Sequence, residues 1–285
     1  MFKKYWKFFV IFWSVVLVGI IGVFVFFWLI SAGKLGFMPT FEELENPNNR
    51  FASEVYFADG PIMNRYFEKE NRKYIEYREI PQSVIDALIA TEDVRFYDHS
   101  GVDVRGLFRV AKGLLTANTS AGGGSTISQQ LAKMLFPRES DLNVFELAIR
   151  KFREWVIAVR LEKSYTKEEI LTMYLNKYDF LNLAVGISSA ADIYFQVPLD
   201  SLKVEQAAML IGMAKNSSYY NPVRRPELTL NRRNVVLSQM YKYDKITREE
   251  CDSLKKLPLG LNFKRVDHKE GLATYFREYL RLLRY

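Results

Sequence analysis

The sequence predicts a mainly α-helical domain behind one N-terminal transmembrane helix, with a small β element near the membrane. Three observations predict it. Residues 8–30 form an uncharged apolar run. From Pro81 onward, apolar residues recur at helical spacing almost throughout. Alternating apolar text occupies residues 52–67, on either side of Asp59-Gly60.

The apolar run, FFVIFWSVVLVGIIGVFVFFWLI, holds 23 residues. As a helix it spans roughly 30–35 Å, enough to cross a bilayer core. A cleaved signal peptide would carry a shorter apolar region ending in small residues. Here the run ends in bulky Phe27, Trp28 and Leu29, so it reads as a retained anchor. Lys3, Lys4 and Lys7 precede it and favour a cytoplasmic N-terminus. The organisation expected is a tail at 1–7, an anchor at 8–30, a Gly-, Pro- and Asn-rich juxtamembrane linker at 31–50, a domain at 51–245, and a C-terminal linker at 246–285.

Composition closes several routes. The chain has 285 residues and a single cysteine, Cys251, so an intramolecular disulfide and a Cys-cluster metal site are excluded. Two histidines, His99 and His268, argue against a multi-His metal centre. A net charge of +7 is too mild to point to nucleic acid.

Element starts follow from the chain. Asp59-Gly60 between alternating runs predicts a β-hairpin. Pro81 suits a first helical turn, with Val84, Ile85, Leu88 and Ile89 on one face. Thr126 with Gln129, and Thr166 with Glu169, form capping-box patterns. A long helix is expected from Asn143 to Lys163, its apolar side carrying Phe145, Ala148, Phe152, Trp155, Val156 and Val159. Ser201 is expected to cap the run LKVEQAAMLIGMA, and Pro226 to open another helix.

Four segments could carry chemistry. In ATEDVRFYDHSGVD (90–103), Glu92 and Asp93 end an apolar helix. A carboxylate there meets the negative end of the macrodipole, which strengthens it as a proton acceptor. A solvated acidic pair is the simpler alternative. In AGGGSTISQQLAK (121–133), three glycines lead into a helix start that offers free N–H groups to an anion. Gln129, Gln130 and Lys133 lie three and four residues apart on it. The bland alternative is a flexible loop before a surface helix. In RKFREW (150–155), Glu154 lies one turn after Arg150 and Lys151. It could orient those cations toward a pyrophosphate or help hold a divalent ion, or be an ordinary surface ion pair. In VRGLFRVAKGLL (104–115), Arg105, Arg109 and Lys112 line a basic amphipathic stretch suited to a membrane interface, or to an ordinary surface helix. Three Ser-x-x-Lys matches lack the motifs that would make an acyl-serine site.

Taken in order, TEDVRFYDHSGVD, GGSTISQQLAK, RKFREW, YTKEEILTMYLN (165–176) and VEQAAMLIGMAKNSSYYNP (204–222) resemble glycosyltransferase family 51. This is the peptidoglycan glycosyltransferase module of class A penicillin-binding proteins. The wording KYDFLNLAVGISSAADIYF is similar to the bifunctional enzymes of Bacteroidetes-type bacteria. The resemblance implies a lysozyme-like helical fold and polymerisation of lipid II into β-1,4 glycan strands. It implies Glu92 as the base on the acceptor hydroxyl and Glu154 as the second catalytic glutamate. Lys133, Arg109, Lys151 and, less directly, Arg150 would handle donor and leaving group. Ser125, Thr126, Gln129 and Gln130 would line the groove, and Asp93, His99 and Asn176 would also serve substrate binding.

A divalent cation such as Mg²⁺, with Glu154 as its candidate ligand, is the cofactor implied. The partners implied are lipid II, the growing glycan chain, the membrane and other cell-wall synthesis proteins. The location implied is the inner (cytoplasmic) membrane, single-pass, with the domain on the periplasmic or extracytoplasmic side. The C-terminal stretch resembles the passage toward a transpeptidase domain, and no transpeptidase activity is expected from residues 1–285. The chain departs from the family wording at Asp179-Phe180-Leu181-Asn182, at Ser188 and at Asn216-Ser217. A lysozyme-like glycan hydrolase and a non-catalytic wall scaffold are the alternative functions.

Overall fold

A computed structural model describes residues 2–36, 38–39, 53–56, 62–66, 71–116, 123–135 and 143–264. It is mainly helical. Helix α1 (Phe2–Ser31) contains the apolar run, and its stretch Tyr5–Ser31 is long and apolar enough to cross a membrane. Strands β1 (Ser53–Tyr56) and β2 (Ile62–Tyr66) pair antiparallel, as expected of a hairpin; Asp59 and Gly60 lie outside the described residues. Strand β3 (Asn71–Arg72) pairs parallel with β4 (Ala184–Val185).

The remaining helices form two groups. Helices α2 (Gln82–Glu92), α8 (Val204–Met213) and α9 (Pro226–Lys242) pack together. Helices α4 (Ile127–Leu135), α5 (Val144–Ser164) and α6 (Lys167–Lys177) form the second group. Around them lie α3 (Val104–Leu115), α7 (Ile187–Phe195) and α10 (Arg248–Lys256). One buried apolar cluster runs through both groups, including Leu88 of α2, Leu131 of α4, Leu161 of α5, Leu175 of α6 and Leu210 of α8.

Helix starts follow local chemistry, with corrections. Thr166 caps α6 and Glu169 closes the box, as expected. Pro226 stands in the first turn of α9, where its missing N–H costs nothing. Pro81 precedes α2 rather than entering it. Ser201 does not cap α8: it ends a 3-10 turn, Leu199–Ser201, and the helix begins at Val204 with the Lys203 N–H on Gln206 Oε1.

The long helix α5 presents a larger correction. Its core face carries Arg153, Glu154, Ile157, Ala158 and Leu161, not the expected apolar side. Phe152 instead meets Phe26 and Phe27 of α1 edge-on, at 5.3 and 5.7 Å between ring centres. Phe145 is exposed. The apolar stripe faces the anchor and the outside because the anchor is itself an apolar partner.

Two joints hold the frame. Arg160 of α5 donates to Ser31 O (2.9 Å), Ser31 Oγ (2.7 Å) and Pro39 O (3.0 Å), fixing the end of α1. The Asn176 amide both donates to Ile75 O (2.9 Å) and accepts from Ile75 N (3.0 Å), joining α6 to the chain before α2 as a strand partner would. Asn176 and Ile75 are buried. Asn176→Ala therefore leaves an N–H and a C=O buried without partners. Chemical denaturation is expected to show a loss of about 3 kcal/mol.

Candidate active site

The two helix groups meet at the end of α2. Its apolar face ends at Ala90, the last helical residue is Glu92, and Asp93 already leaves the helix with φ −157°. The two adjacent carboxylates consequently point to different surroundings.

Asp93 turns inward. Its side chain is 3% exposed and its Oδ2 accepts from the backbone N–H of Ile127, the first residue of α4, at 3.0 Å. His99 Nε2 lies 3.0 Å from the same oxygen, while Nδ1 accepts from Gly101 N at 3.2 Å. That pattern assigns the ring proton to Nε2, which donates to Asp93. A carboxylate at a helix N-terminus meets free N–H groups and the positive end of the dipole. Asp93 and His99 thus fasten α4 to the end of α2.

Glu92 stays partly exposed where the groups meet. Gln130 of α4 donates to its Oε2 at 2.9 Å, and Arg232 of α9 approaches its Oε1 at 3.3 Å. Tyr174 of α6 donates to Gln130 Oε1 at 3.0 Å, which orients the amide. Burial, and then the Glu92 charge, push the Tyr174 hydroxyl well above its ordinary range. Burial likewise takes Tyr178 to about 12, with Glu92 again contributing in the same direction. Both phenols keep their protons at neutral pH, so neither is a base there.

Glu154 has a contrasting setting. Its Oε2 receives Lys151 Nζ at 2.8 Å, and the same ammonium donates to Ser125 Oγ at 2.9 Å. Its side chain is as sheltered as that of Glu92, 12% against 13% exposed. The segment 125–130 therefore touches both carboxylates, Ser125 through Lys151 and Gln130 directly.

The two glutamines of α4 separate. Gln130 reaches Glu92, whereas Gln129 is buried and donates to Gly101 O at 3.3 Å. Thr126 Oγ donates to the same carbonyl at 2.7 Å and accepts from Gln129 N at 3.2 Å. Only the threonine half of the expected capping box forms, because the Gln129 amide is used elsewhere. Asn176, as described, clamps Ile75. Lys133 is exposed in the last turn of α4 and Arg109 is exposed on α3. Arg150 is half-buried one residue before Lys151.

Among the described residues there is no group of three or more His, Cys, Asp or Glu that could hold a metal. The near neighbour of Glu154 is an ammonium, which has no lone pair to offer. These residues do not fit a divalent site built by the protein alone.

Arg232, Tyr174 and Tyr178 were not singled out by the sequence. The link from Arg232 to Glu92 spans 140 positions, and nothing in the local spacing of α9 marks it.

The site thus consists of two sheltered glutamates on a mainly helical domain, one of them beside a lysine. The comparisons with known proteins give the family. The family model described as Transglycosylase matches residues 59–241, and the chain belongs to that family. Penicillin-binding protein 1A of Escherichia coli is 36% identical over 226 residues, covering 79% of this chain and 26% of the relative. Penicillin-binding protein 1A of Pseudomonas aeruginosa is 35% identical over 244 residues, covering 86% and 29%. The chain thus spans under a third of the length of these relatives. The crystal structure of Penicillin-Binding Protein 1A from Haemophilus influenzae aligns over 84% of this chain and 25% of its own, at 22% identity and TM-score 0.45.

Asp93→Ala removes a charged acceptor from the start of α4 and strands the Ile127 N–H. Denaturant unfolding is expected to show a loss of about 3 kcal/mol, within the range for a lost hydrogen bond to a charged group plus an orphaned donor.

Proposed function

We propose that the protein polymerises lipid II into β-1,4-linked glycan strands by inverting glycosyl transfer, releasing undecaprenyl pyrophosphate. The observation that carries this reading is the pair of sheltered carboxylates in unlike settings, both tied to segment 125–130. Glu92 stands at a helix end between the Gln130 amide and the Arg232 guanidinium. Glu154 is held against a lysine and a serine.

The chemistry divides accordingly. The acceptor 4-hydroxyl oxygen attacks C1 of the donor sugar and passes its proton to Glu92. The bond from C1 to the pyrophosphate oxygen breaks, and the electron pair leaves with the pyrophosphate. Attack from the face opposite the leaving group converts the α linkage to β. A pyrophosphate needs cations at its developing charge rather than a protonated acid. Lys151, fixed by Ser125 and Glu154, supplies one, and Arg109, Lys133 and Arg150 supply others as substrate arrives. Their number also agrees with an anionic donor.

The same reading accounts for the apolar surface. Helix α1 exposes apolar side chains along its length, and α5 runs beside its end. The first turn of α5 exposes Val144 and Phe145, and α3 exposes Val104 and Phe108 among Arg105, Arg109 and Lys112. Such faces suit the headgroup boundary. We place the N-terminus in the cytoplasm and the domain outside the cytoplasmic membrane, where a polyprenyl-linked substrate presents its sugars.

Labelled lipid II, resolved by gel after incubation with the chain, checks the reading. Glu92→Gln should lower glycan formation by about 10³-fold while unfolding stays cooperative. Lys151→Met should lower turnover by about 10²-fold. Wild-type rates from Glu92→Gln would remove the assignment of the base.

A further inference from the structure

We propose that Arg232 is a positioning residue for Glu92, holding the plane of its carboxylate from the side opposite Gln130. The inference rests on the reading of Glu92 as the base.

The argument starts from how Arg232 is held. It projects from α9 across Gly212 of α8, where an added Cβ would come within 3.2 Å of Arg232 Cγ. Its Nε donates to Gly212 O at 3.3 Å, a carbonyl in the last turn of α8. Carbonyls there carry the negative end of the helix dipole, which favours a guanidinium. The face of Tyr220 lies 5.8 Å from the guanidinium carbon. Three parts of the chain thus set one cation beside Glu92, and the arginine side chain is only 11% exposed.

The two carboxylate oxygens then have different donors. Oε2 takes a neutral amide from Gln130, and Oε1 takes a charged guanidinium from Arg232. Donors on both oxygens remove rotation about the last side-chain bond. Each oxygen still keeps a lone pair for a substrate hydroxyl. The groups facing Glu92 are Arg232 from α9, Gln130 from α4, and Tyr174 and Tyr178 from α6. Of these only Arg232 is charged at neutral pH. Removing the guanidinium leaves Oε1 without this donor and lets the carboxylate plane turn. Replacing Arg232 with lysine keeps the charge but loses the fork that reaches Gly212 and Glu92 together.

The test is steady-state lipid II polymerisation by the full chain, with Arg232→Met, Arg232→Lys and Glu92→Gln beside the wild type. Arg232→Met should lower kcat by at least about tenfold while KM for lipid II changes by less than about threefold. Arg232→Lys should recover part of that kcat, since it restores the cation without the fork. If Arg232→Met unfolds, Arg232→Gln carries the same comparison, since its amide can still donate to Gly212 O. A kcat within about twofold of wild type in the folded neutral variants, or a loss confined to KM, overturns the inference. An active Glu92→Gln overturns the reading beneath it. An inactive Glu92→Gln with an unchanged kcat in Arg232→Met overturns the role of Arg232 alone.

Discussion

The contact on which the site depends is the buried carboxylate of Asp93 on the first N–H of α4. It joins two helix groups that share one apolar core, whose packing is nondirectional. A charged hydrogen bond has a fixed geometry. Here it sets the start of α4 against the end of α2, with His99 holding the carboxylate from the other side. One turn further along α4, Gln130 arrives at Glu92. The neighbouring carboxylates Glu92 and Asp93 thus split the work of the motif, one partly exposed where the groups meet and one holding them together.

From this joint the charge layout follows. Segment 125–130 carries Ser125 to the Lys151–Glu154 pair and Gln130 to Glu92. The two carboxylates are thereby kept apart yet in fixed relation. Arg160 ties the end of the anchor to α5, the helix that also bears Lys151 and Glu154. The Lys151–Glu154 pair is therefore fixed relative to the end of α1.

Much of this was legible along the chain. The end of α2 followed from Val84, Ile85, Leu88 and Ile89 giving way to Glu92, and the α6 cap from Thr166 and Glu169. What failed did so for physical reasons. Gln129 and Gln130 are identical neighbours, and only the tertiary position of Gly101 sends one inward. The apolar side of α5 was legible, but not what it packs on: a chain with an apolar anchor has a second surface that selects the same residues. Arg232 could not be found from spacing, because its partner is fixed by the packing of α9 on α2. At Leu181, Asn182 and Leu183 the backbone takes positive φ at three successive non-glycine residues. That turn coincides with the departure from family wording at 179–182. It is held by Asp179 Oδ1 on Leu181 N and by Asn182 on the Tyr194 hydroxyl.

The central claim is that Asp93 acts on catalysis through the placement of Gln130. A double-mutant cycle in lipid II turnover measures it, using Asp93→Ala, Gln130→Ala and the double variant under conditions where all remain folded. The account predicts strong coupling, with the double variant no slower than Asp93→Ala alone. Losses that simply add would mean that the two residues act independently, and would contradict it.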